Sequence, residues 1–336
     1  MDPFVDGSLE WSALALDDLE ELVELYTVIA YFDDPVQAIE VDELAGHFSA
    51  PCGEPSRNAV VGRDSAGTIV ACGWNVVRAT QPGTPEIWLA GGVHPSWRHK
   101  GIGARLMGWQ VARAREWLVE VHAEHPEVDR VRLCCHVEAR GRSQQVLMAA
   151  QGFEPRRWFF DLQLAFGPEP ERFALPQAPV VEGVDLVPYH PRLAEAVREA
   201  HNLAFADRVG HREVSRQEWE DSVARPGARP EWSWVALVDG RVVGHAMNCL
   251  VGEGSEALGW TDRIAVLPSW RGRGLGTALL ACSIHTFHQA GLAGAGVGVD
   301  AEEPDEALGL FTRNGYRQQE AVIAFERELL LVDAKD

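Results

Sequence analysis

The chain has 336 residues and a mass of 37.0 kDa, which is about twice the usual length of one domain, and its composition is that of a globular protein. It carries 50 acidic against 30 basic residues, which gives a formal net charge of −20. Because such a field repels nucleic acid and anionic membranes, we expect neither as a partner.

The first half of the chain predicts helices and strands in a mixed order. Asp17 is a candidate cap for a helix whose apolar side chains, from Leu19 to Tyr26, lie on one face. Strands are predicted over residues 58–63, 68–78, 86–93, 130–137 and 153–164, with a long helix from Gly103 and a short one from Ser143.

The second half repeats this order after a segment rich in proline and glutamate. Residues 166–179 are a predicted linker between an N-terminal domain, residues 1–165, and a C-terminal domain, residues 180–336. Strands are predicted over 184–188, 232–238, 241–250, 258–266, 295–299 and 321–328, and helices over 191–206, up to Ala290 and around 305–314. This order predicts an α/β fold of α+β layers, in which each domain has a mixed, mostly antiparallel sheet flanked by helices.

A fourteen-residue segment occurs twice in the chain. Residues 94–107 and 267–280 share seven identical positions, including Pro-Ser-Trp-Arg and two glycines, at an offset of 173 residues. Gly152-Phe153 and Gly315-Tyr316 form a second matched pair. A repeat of this length indicates two whole domains rather than a solenoid.

Each copy contains a loop of the form Arg-x-x-Gly-x-Gly between a strand and a helix. Glycines allow backbone N–H groups to face a ligand, and the helix N-terminus adds partial positive charge. Arg98, Lys100 and Arg273 place cations in these loops of an acidic chain. The pattern predicts two pyrophosphate sites; the structural alternative is a basic helix start joined by glycine turns.

Two better-known glycine loops are excluded by the residues present. A dinucleotide fingerprint needs a third glycine where Leu106 and Leu279 stand, and a Walker loop needs Gly-Lys-Ser/Thr, which neither copy has. The strand ending in valine, the Arg-x-x-Gly-x-Gly loop and the amphipathic helix resemble instead the acetyl-CoA motif of the GCN5-related N-acetyltransferases, the GNAT family. Because both halves carry this motif, the chain resembles a tandem GNAT protein, an arrangement shared with the mycothiol synthases.

The resemblance implies that acetyl-CoA, or another acyl-CoA, binds at the loop and along the strand before it, and that the acetyl group passes directly to an amine. In the N-terminal half the implied cofactor-binding residues are Gly91, Gly92, Val93, Arg98, His99, Lys100, Gly101, Ile102, Gly103 and Ala104. In the C-terminal half they are Ile264, Ala265, Val266, Arg271, Gly272, Arg273, Gly274, Leu275, Gly276 and Thr277. A backbone N–H near Val266 would stabilise the tetrahedral oxyanion.

Acyl transfer also needs a group that deprotonates the amine, whose pKa is about 10. The family resemblance places an acidic residue four positions before the final valine of the strand, which is Asp262 in the second half and Leu89 in the first. We therefore predict Asp262 as the catalytic base and the C-terminal domain as the catalytic one. The N-terminal domain is left with a cofactor-binding or structural role. The alternative for Asp262 is a surface ion pair with an arginine such as Arg263.

The general acid that the resemblance implies is missing from both halves. Family members commonly use a tyrosine four residues before the closing glycine, where this chain has Met148 and Phe311. Either water reprotonates the leaving thiolate, or the transfer sites are silent. Tyr316, beside the second closing glycine, is expected to pack rather than donate a proton.

The remaining polar residues are predicted to be structural. His285 and His288 lie one turn apart on a helix, but no third ligand is evident, so we expect an exposed helix face and no metal site. His201, His211 and His245 are weaker candidates for a substrate cleft. The six cysteines show no framework spacing, and residues 1–6 lack the features of a signal peptide. Both observations predict reduced thiols in a cytoplasmic protein.

Together these features predict an enzyme that transfers an acetyl or other short acyl group from acyl-CoA to a small-molecule amine. The alternative is an acyl-CoA-binding regulatory or structural protein with inactive transfer sites. We expect a monomer, because two homologous domains on one chain can form an internal pseudo-dimer. Two lysines against 28 arginines are typical of a GC-rich genome, so actinobacterial secondary metabolism is a candidate setting.

Overall fold

A computed structural model describes residues 9–33, 55–78, 84–207, 212–302 and 304–331 of the chain. The chain forms two compact units. Unit 1 contains Met1–Arg157 and Val322–Asp336, and unit 2 contains Trp158–Ala321. Among the helices in the described ranges, none is both long and apolar enough to cross a membrane.

The strands and helices follow the mixed order that the sequence predicts. The strands are β1 (Glu10–Ala13), β2 (Ala59–Arg63), β3 (Ile69–Arg78), β4 (Glu86–Val93), β5 (Arg130–Glu138), β6 (Glu154–Ala165), β7 (Asp185–Pro188), β8 (Trp234–Val238), β9 (Arg241–Val251), β10 (Leu258–Val266), β11 (Gly294–Ala301) and β12 (Arg317–Leu330). The helices are α1 (Leu19–Asp33), α2 (Pro55–Asn58), α3 (Ile102–Glu124), α4 (Arg142–Ala150), α5 (Ala194–Phe205), α6 (Arg216–Ala224), α7 (Leu275–Gln289) and α8 (Pro304–Arg313).

Unit 1 is a sheet in the order β1-β2-β3-β4-β5-β12 with helices on both faces. β4 and β5 are parallel, and the other neighbours are antiparallel. On one face α1 buries Leu22 against Val61 and Trp74, and on the other α3 buries Leu106 against Ala71. These contacts remove the apolar stripe of each helix from water, which drives the layered packing.

Unit 2 has the same plan, with the sheet order β6-β11-β10-β9-β8-β7. Here β10 and β11 form the parallel pair. α5 and α6 cover one face, where Trp219 is buried with Val197, and α7 covers the other with Leu275 and Leu279. The repeat in the sequence therefore corresponds to a repeated arrangement of layers.

The last strand of each half completes the sheet of the other unit. In unit 1, residues 322–330 of β12 pair with β5, and Phe325 lies opposite Cys135. In unit 2, residues 158–165 of β6 pair with β11, and Phe160 lies opposite Val299. The units therefore differ from the ranges 1–165 and 180–336 that the sequence predicts. The predicted linker, residues 166–179, belongs to unit 2.

The predicted fold class is confirmed, and most predicted elements match the observed bounds to within a few residues. Three short elements were not predicted: β1, α2 and α6. A signal for α6 does exist, because Ser215 and Glu218 form a reciprocal capping box at its start. α6 buries only Trp219, so its sequence lacks the apolar periodicity that predicts a helix.

One core position of unit 2 holds an ionisable side chain. His245, on β9, is fully buried, and neither ring nitrogen has a hydrogen-bond partner among the described residues. Its ring lies 5.4 Å from that of His201 and 5.8 Å from that of Trp219. Burial, and then the charges of His201 and Arg263, lowers the pKa of His245 from 6.5 to about 3.

Because the last strand of each half lies in the sheet of the other unit, we predict that two matched core substitutions on these strands affect different sheets. Phe325→Ala should destabilise the fold by about 3 kcal/mol and accelerate amide hydrogen exchange in β5, because Phe325 packs in unit 1. Phe160→Ala, the matched control on β6, should accelerate exchange in β11 instead. Hydrogen exchange with mass spectrometry separates the two strands, and the reverse pattern would show that each half keeps its own last strand.

We also predict an acid-sensitive contribution from His245. Its pKa is lower in the folded than in the unfolded protein, so the unfolded state binds the extra proton below about pH 6.5. As the pH is lowered from about 6.5 to 3, the free energy of unfolding should therefore fall by up to about 1.4 kcal/mol for each pH unit. Urea unfolding at pH 7, 6 and 5 should show a shallower dependence in His245→Leu. The exposed control His125→Leu should keep the wild-type slope, and equal slopes in all three proteins would contradict the assignment.

Candidate functional site

In both units the predicted loop ends on a left-handed glycine at the start of a helix. Gly101 has a φ of +79° and caps α3, and Gly274 has a φ of +84° and caps α7. Neither cap involves a side-chain hydrogen bond. No capping side chain therefore competes for the first-turn N–H groups of either helix, which is the arrangement that a pyrophosphate loop requires.

A cleft of about 410 Å³ opens beside the loop of unit 1. β4 and β5 pair only as far as Trp88 and Cys134, and the cleft lies where the two strands separate beyond these residues. It is lined by nine of the ten cofactor-binding residues predicted in this half: Gly91, Gly92, Val93, Arg98, His99, Gly101, Ile102, Gly103 and Ala104. The structure therefore brings together one strand end, one loop and one helix start around a single cavity.

The cations predicted in this loop have structural partners. Arg98 forms a bidentate ion pair with Asp33 of α1, with N–O distances of 2.6 and 2.8 Å, and donates to the carbonyl of Val93 at 3.1 Å. Lys100, the tenth predicted residue, lies 4.3 Å from the ring centroid of Trp97. Arg98 therefore joins α1, β4 and the loop instead of serving as a free phosphate cation. Residue spacing shows no sign of this role, because Asp33 lies 65 residues away in the chain.

A buried amide supports the strand wall of the cleft. The side chain of Gln110 on α3 donates to the carbonyl of Ala90 at 2.8 Å and to that of Trp74 at 3.0 Å. Asn75 donates in turn to the backbone carbonyl of Gln110 at 2.9 Å. These bonds hold β4 against α3 just where its pairing with β5 has ended. Sequence reasoning missed Gln110, although it lies two helical turns after Gly103 and so faces the same side of α3.

The end of this cleft around Cys135 and Met148 is apolar, although His136 and Ser143 also line the cleft. Met148 occupies the position at which the family resemblance implies a tyrosine. It is buried, and its sulfur lies 3.1 Å from the Cys135 thiol. Burial raises the pKa of Cys135 to about 12, so this thiol keeps its proton at neutral pH. Cys135 and Met148 therefore form an apolar, unreactive end to the cleft.

The loop of unit 2 shows a related pattern. Arg271 donates to the carbonyl of Val266 at 3.2 Å and to that of Ala204 at 2.5 Å, so it joins the strand end to α5 as Arg98 joins its strand to α1. Arg273 lies 4.6 Å from the ring centroid of Trp270. The side chains of Ile264, Val266 and Leu275 pack in an apolar cluster, so these residues present only backbone groups to a ligand.

A β-bulge in unit 2 sets the position of Asp262. The register between β9 and β10 shifts between Thr261 and Arg263, whereas the corresponding pairing of β3 with β4 has no shift there. Asn75 lies opposite Leu89 and Asn248, its counterpart in the repeat, lies opposite Thr261. The counterpart of Leu89 is therefore Thr261, and Asp262 is an additional residue. Counting back from the final valine does not reveal this difference.

Asp262 lies next to two arginines at this bulge. Its carboxylate is 2.8 Å from the guanidinium of Arg225 and 3.9 Å from that of Arg263. Its side chain is 28% exposed. All three residues line a small cavity of about 10 Å³ that also includes Trp219 and Cys249. The ion pair that the sequence left as an alternative is present, formed with Arg225, and a carboxylate also stands where β10 leaves β11.

The paired histidines of α7 and the described cysteines have structural surroundings. His285 and His288 are half-buried, and each ring Nε2 lies within 2.8 Å of a backbone carbonyl, so the expected exposed face is wrong. The described cysteines are all free thiols, and no cluster of three metal-ligating side chains occurs among the described residues. His201 of α5 and His245 of β9 pack against each other and against Trp219 of α6, while His211 and Cys52 lie outside the described residues.

The acid position of unit 2 is also filled by an apolar side chain. Phe311 is buried, and its ring centroid lies 5.9 Å from that of Tyr316. The Tyr316 hydroxyl is buried as well, and burial raises the pKa of Tyr316. A phenol that holds its proton this strongly is a poor donor, which agrees with the packing role expected for Tyr316.

Comparison with protein families and relatives identifies this arrangement. Residues 229–318 match the model of the acetyltransferase (GNAT) domain. The chain is 27% identical over 238 residues to the mycothiol acetyltransferase of Clavibacter michiganensis subsp. michiganensis, covering 70% of each protein. The match of the family model to unit 2 covers β9, β10, the loop and α7, which include Asp262 and Gly274.

Solved structures share the fold over nearly the full chain. A GCN5-related N-acetyltransferase from Sphaerobacter thermophilus superposes with a TM-score of 0.67 at 21% identity, covering 97% of this chain and 98% of that one. A tandem GNAT protein from the clavulanic acid biosynthesis pathway has a TM-score of 0.55 at 19% identity, covering 95% and 98%. The chain therefore carries an acetyltransferase (GNAT) domain in its second half, is similar to mycothiol acetyltransferases over 70% of its length and shares the fold of tandem GNAT proteins.

Proposed function

We propose that the chain transfers an acetyl or other short acyl group from acyl-CoA to the amine of a small molecule. In this proposal unit 1 binds acyl-CoA without transferring the group, and unit 2 carries out the transfer. The observation that supports acyl-CoA binding most directly is the cleft of unit 1, which collects nine predicted cofactor residues around about 410 Å³. The relatives named mycothiol acetyltransferase make an amine acceptor the natural class of substrate.

The residues of unit 1 fit an acyl-CoA molecule. The space around Gly101 is open, since a Cβ placed there would meet no atom within 4 Å. The N–H groups at the start of α3 would hold the pyrophosphate, and the unpaired edge of β4 would lie along the pantetheine. Leu89 is buried and Met148 is apolar, so this unit lacks both a base and an acid at the positions where the family uses them.

Unit 2 has the features that the chemistry requires. Bound acetyl-CoA supplies an acetyl thioester. The Asp262 carboxylate would accept a proton from the protonated amine, directly or through a water molecule. The N–H of Val266 would donate to the oxyanion as negative charge develops on the carbonyl oxygen. The bulge, which unit 1 lacks at this point, places Asp262 next to the end of the paired region of β10.

No acid is needed for the leaving group if it departs as a thiolate. A thiol has a pKa of about 8.5, so its thiolate is a fair leaving group and can take its proton from water. The buried Phe311 and the high pKa of Tyr316 are compatible with this route. The same two residues favour the second candidate function, an acyl-CoA-binding protein whose transfer sites are both inactive.

We further propose that the protein acts as a cytoplasmic monomer. The two GNAT domains on one chain and the free thiols among the described cysteines support this proposal. The net charge of −20 supports a small-molecule partner over nucleic acid or an anionic membrane.

We predict that the two loops contribute unequally to catalysis. Glutamate at position 101 or 274 introduces a Cβ at a φ near +80° and a carboxylate beside the pyrophosphate site, so the two substitutions are closely matched. Gly101→Glu should reduce acetyl transfer to a panel of small amines by less than about threefold, whereas Gly274→Glu should abolish it. Radiolabelled acetyl-CoA and circular dichroism measure transfer and folding. Loss of activity in Gly101→Glu alone would move catalysis to unit 1.

We predict that the carboxylate of Asp262, and not only its ion pair, is required. Asp262→Asn should lower kcat by about 10²- to 10⁴-fold and remove the acidic limb of the pH–rate profile. Arg225→Gln breaks the ion pair but keeps the carboxylate, so kcat should fall less and the acidic limb should remain. Equal losses in both variants, with identical pH profiles, would indicate a structural ion pair. Full kcat in Asp262→Asn would exclude the base assignment.

A further inference from the structure

The segment between the two halves is fastened along α7 of unit 2. We call residues 170–181 the strap. The Nε2 atom of His288 lies 2.7 Å from the carbonyl oxygen of Pro170, and that of His285 lies 2.8 Å from the carbonyl oxygen of Pro176. Because a carbonyl can only accept, both imidazoles donate from Nε2. These two histidines therefore fasten the strap to α7 at two points, and we call their two hydrogen bonds the latch.

Aromatic and aliphatic contacts hold both ends of the strap. Phe173 packs 4.9 Å from the ring of Phe166 and stacks 6.3 Å from that of His288. At the other end, Val181 packs in the apolar cluster that contains Leu275, the first residue of α7. The strap thus runs from the C-terminal end of α7 to its N-terminal end, which is where the loop lies.

At that end Pro179 of the strap lies beside the glycine loop of unit 2. A Cβ placed on Gly274 would lie 3.6 Å from Cγ of Pro179 and 3.8 Å from its Cβ. The equivalent point at Gly101 in unit 1 has no atom within 4 Å. A proline ring has no N–H and cannot donate a hydrogen bond to a phosphate, so the group next to Gly274 is apolar.

We propose that the strap is an autoinhibitory cover that acyl-CoA must displace before it can occupy unit 2. Unit 1, whose loop is open, fills first and more tightly. Occupancy of unit 2 then depends on the free energy needed to release Pro179 and the two histidine bonds. This inference rests on the proposed function, because it assumes that the loop of unit 2 binds acyl-CoA during transfer.

The latch is expected to open when a ligand competes with it. Each bond is of ordinary strength, equivalent to about a fivefold change in a binding constant. A ligand of moderate affinity can therefore open the strap.

The test isolates unit 2 by measuring acetyl-CoA binding in the Gly101→Glu background. His285→Ala combined with His288→Ala should tighten the Kd of the remaining site by about 20-fold, as expected for the loss of two hydrogen bonds. His125→Ala, an exposed histidine of unit 1, is the control and should leave this Kd unchanged. Isothermal titration calorimetry gives the Kd values, and native mass spectrometry counts the bound molecules.

A second variant keeps the test valid if loss of both histidines impairs folding. Pro179→Ala removes the ring carbon that lies nearest Gly274 and leaves the latch intact, so it should tighten the same Kd by several-fold. Acetyl-CoA should also accelerate amide exchange of residues 171–178 in the Gly101→Glu protein.

Distinct outcomes separate the strap from the proposed function. Equal affinities of the two sites in the wild type, or a Kd of unit 2 that no strap variant changes, would overturn the strap while leaving acyl-CoA binding intact. Absence of acetyl-CoA from the wild-type protein and from every variant would overturn the proposed function itself. One tight and one weak site, the weak one strengthened by strap variants, is the expected result.

Discussion

The separation of a parallel strand pair is the constraint on which the rest of this structure depends. β4 and β5 pair over three residues of each strand, and β10 and β11 over four, before the strands move apart. Backbone groups beyond these points lose their ladder partners, and a buried polar group without a partner is costly. Side chains satisfy some of these groups. Gln110 donates to the carbonyl of Ala90, and Arg98 and Arg271 donate to the carbonyls of Val93 and Val266 at the strand ends. In unit 1 the separation leaves open a cleft of about 410 Å³ that is suited to an extended ligand.

The two units differ in the residues that surround this strand separation. Unit 1 keeps a continuous β4, an open glycine loop and a cleft that ends at Met148 and Cys135, so it combines room for a ligand with little chemistry. In unit 2 a bulge places Asp262 at the point of separation, and its loop lies under Pro179. The two copies of one fold therefore differ at the strand end and at the loop, and function is determined by such sites more than by the fold that carries them.

Charge also acts locally in this protein. The net charge of −20 describes the surface as a whole, yet Arg98 is engaged with Asp33 and Arg271 with backbone carbonyls. An anionic ligand would therefore rely on oriented N–H groups and helix dipoles more than on free cations. The strap is held to α7 by the same kind of contact, since its two hydrogen bonds to the helix join histidine side chains to backbone carbonyls.

The sequence by itself determined the repeat, the order of helices and strands, the glycine loops and the absence of a tyrosine at Met148 and Phe311. These features are local, because periodicity, turn residues and spacing act over a few residues. Only the tertiary structure decided the exchange of β6 and β12, since two homologous strands with the same alternating pattern can fit either sheet edge. It also decided the bulge at Asp262, the pairing of Arg98 with Asp33 and the contact of Pro179 with the loop. Each of these joins residues far apart in the chain or adds one residue to a regular pattern, and neither leaves a periodic signal in the sequence.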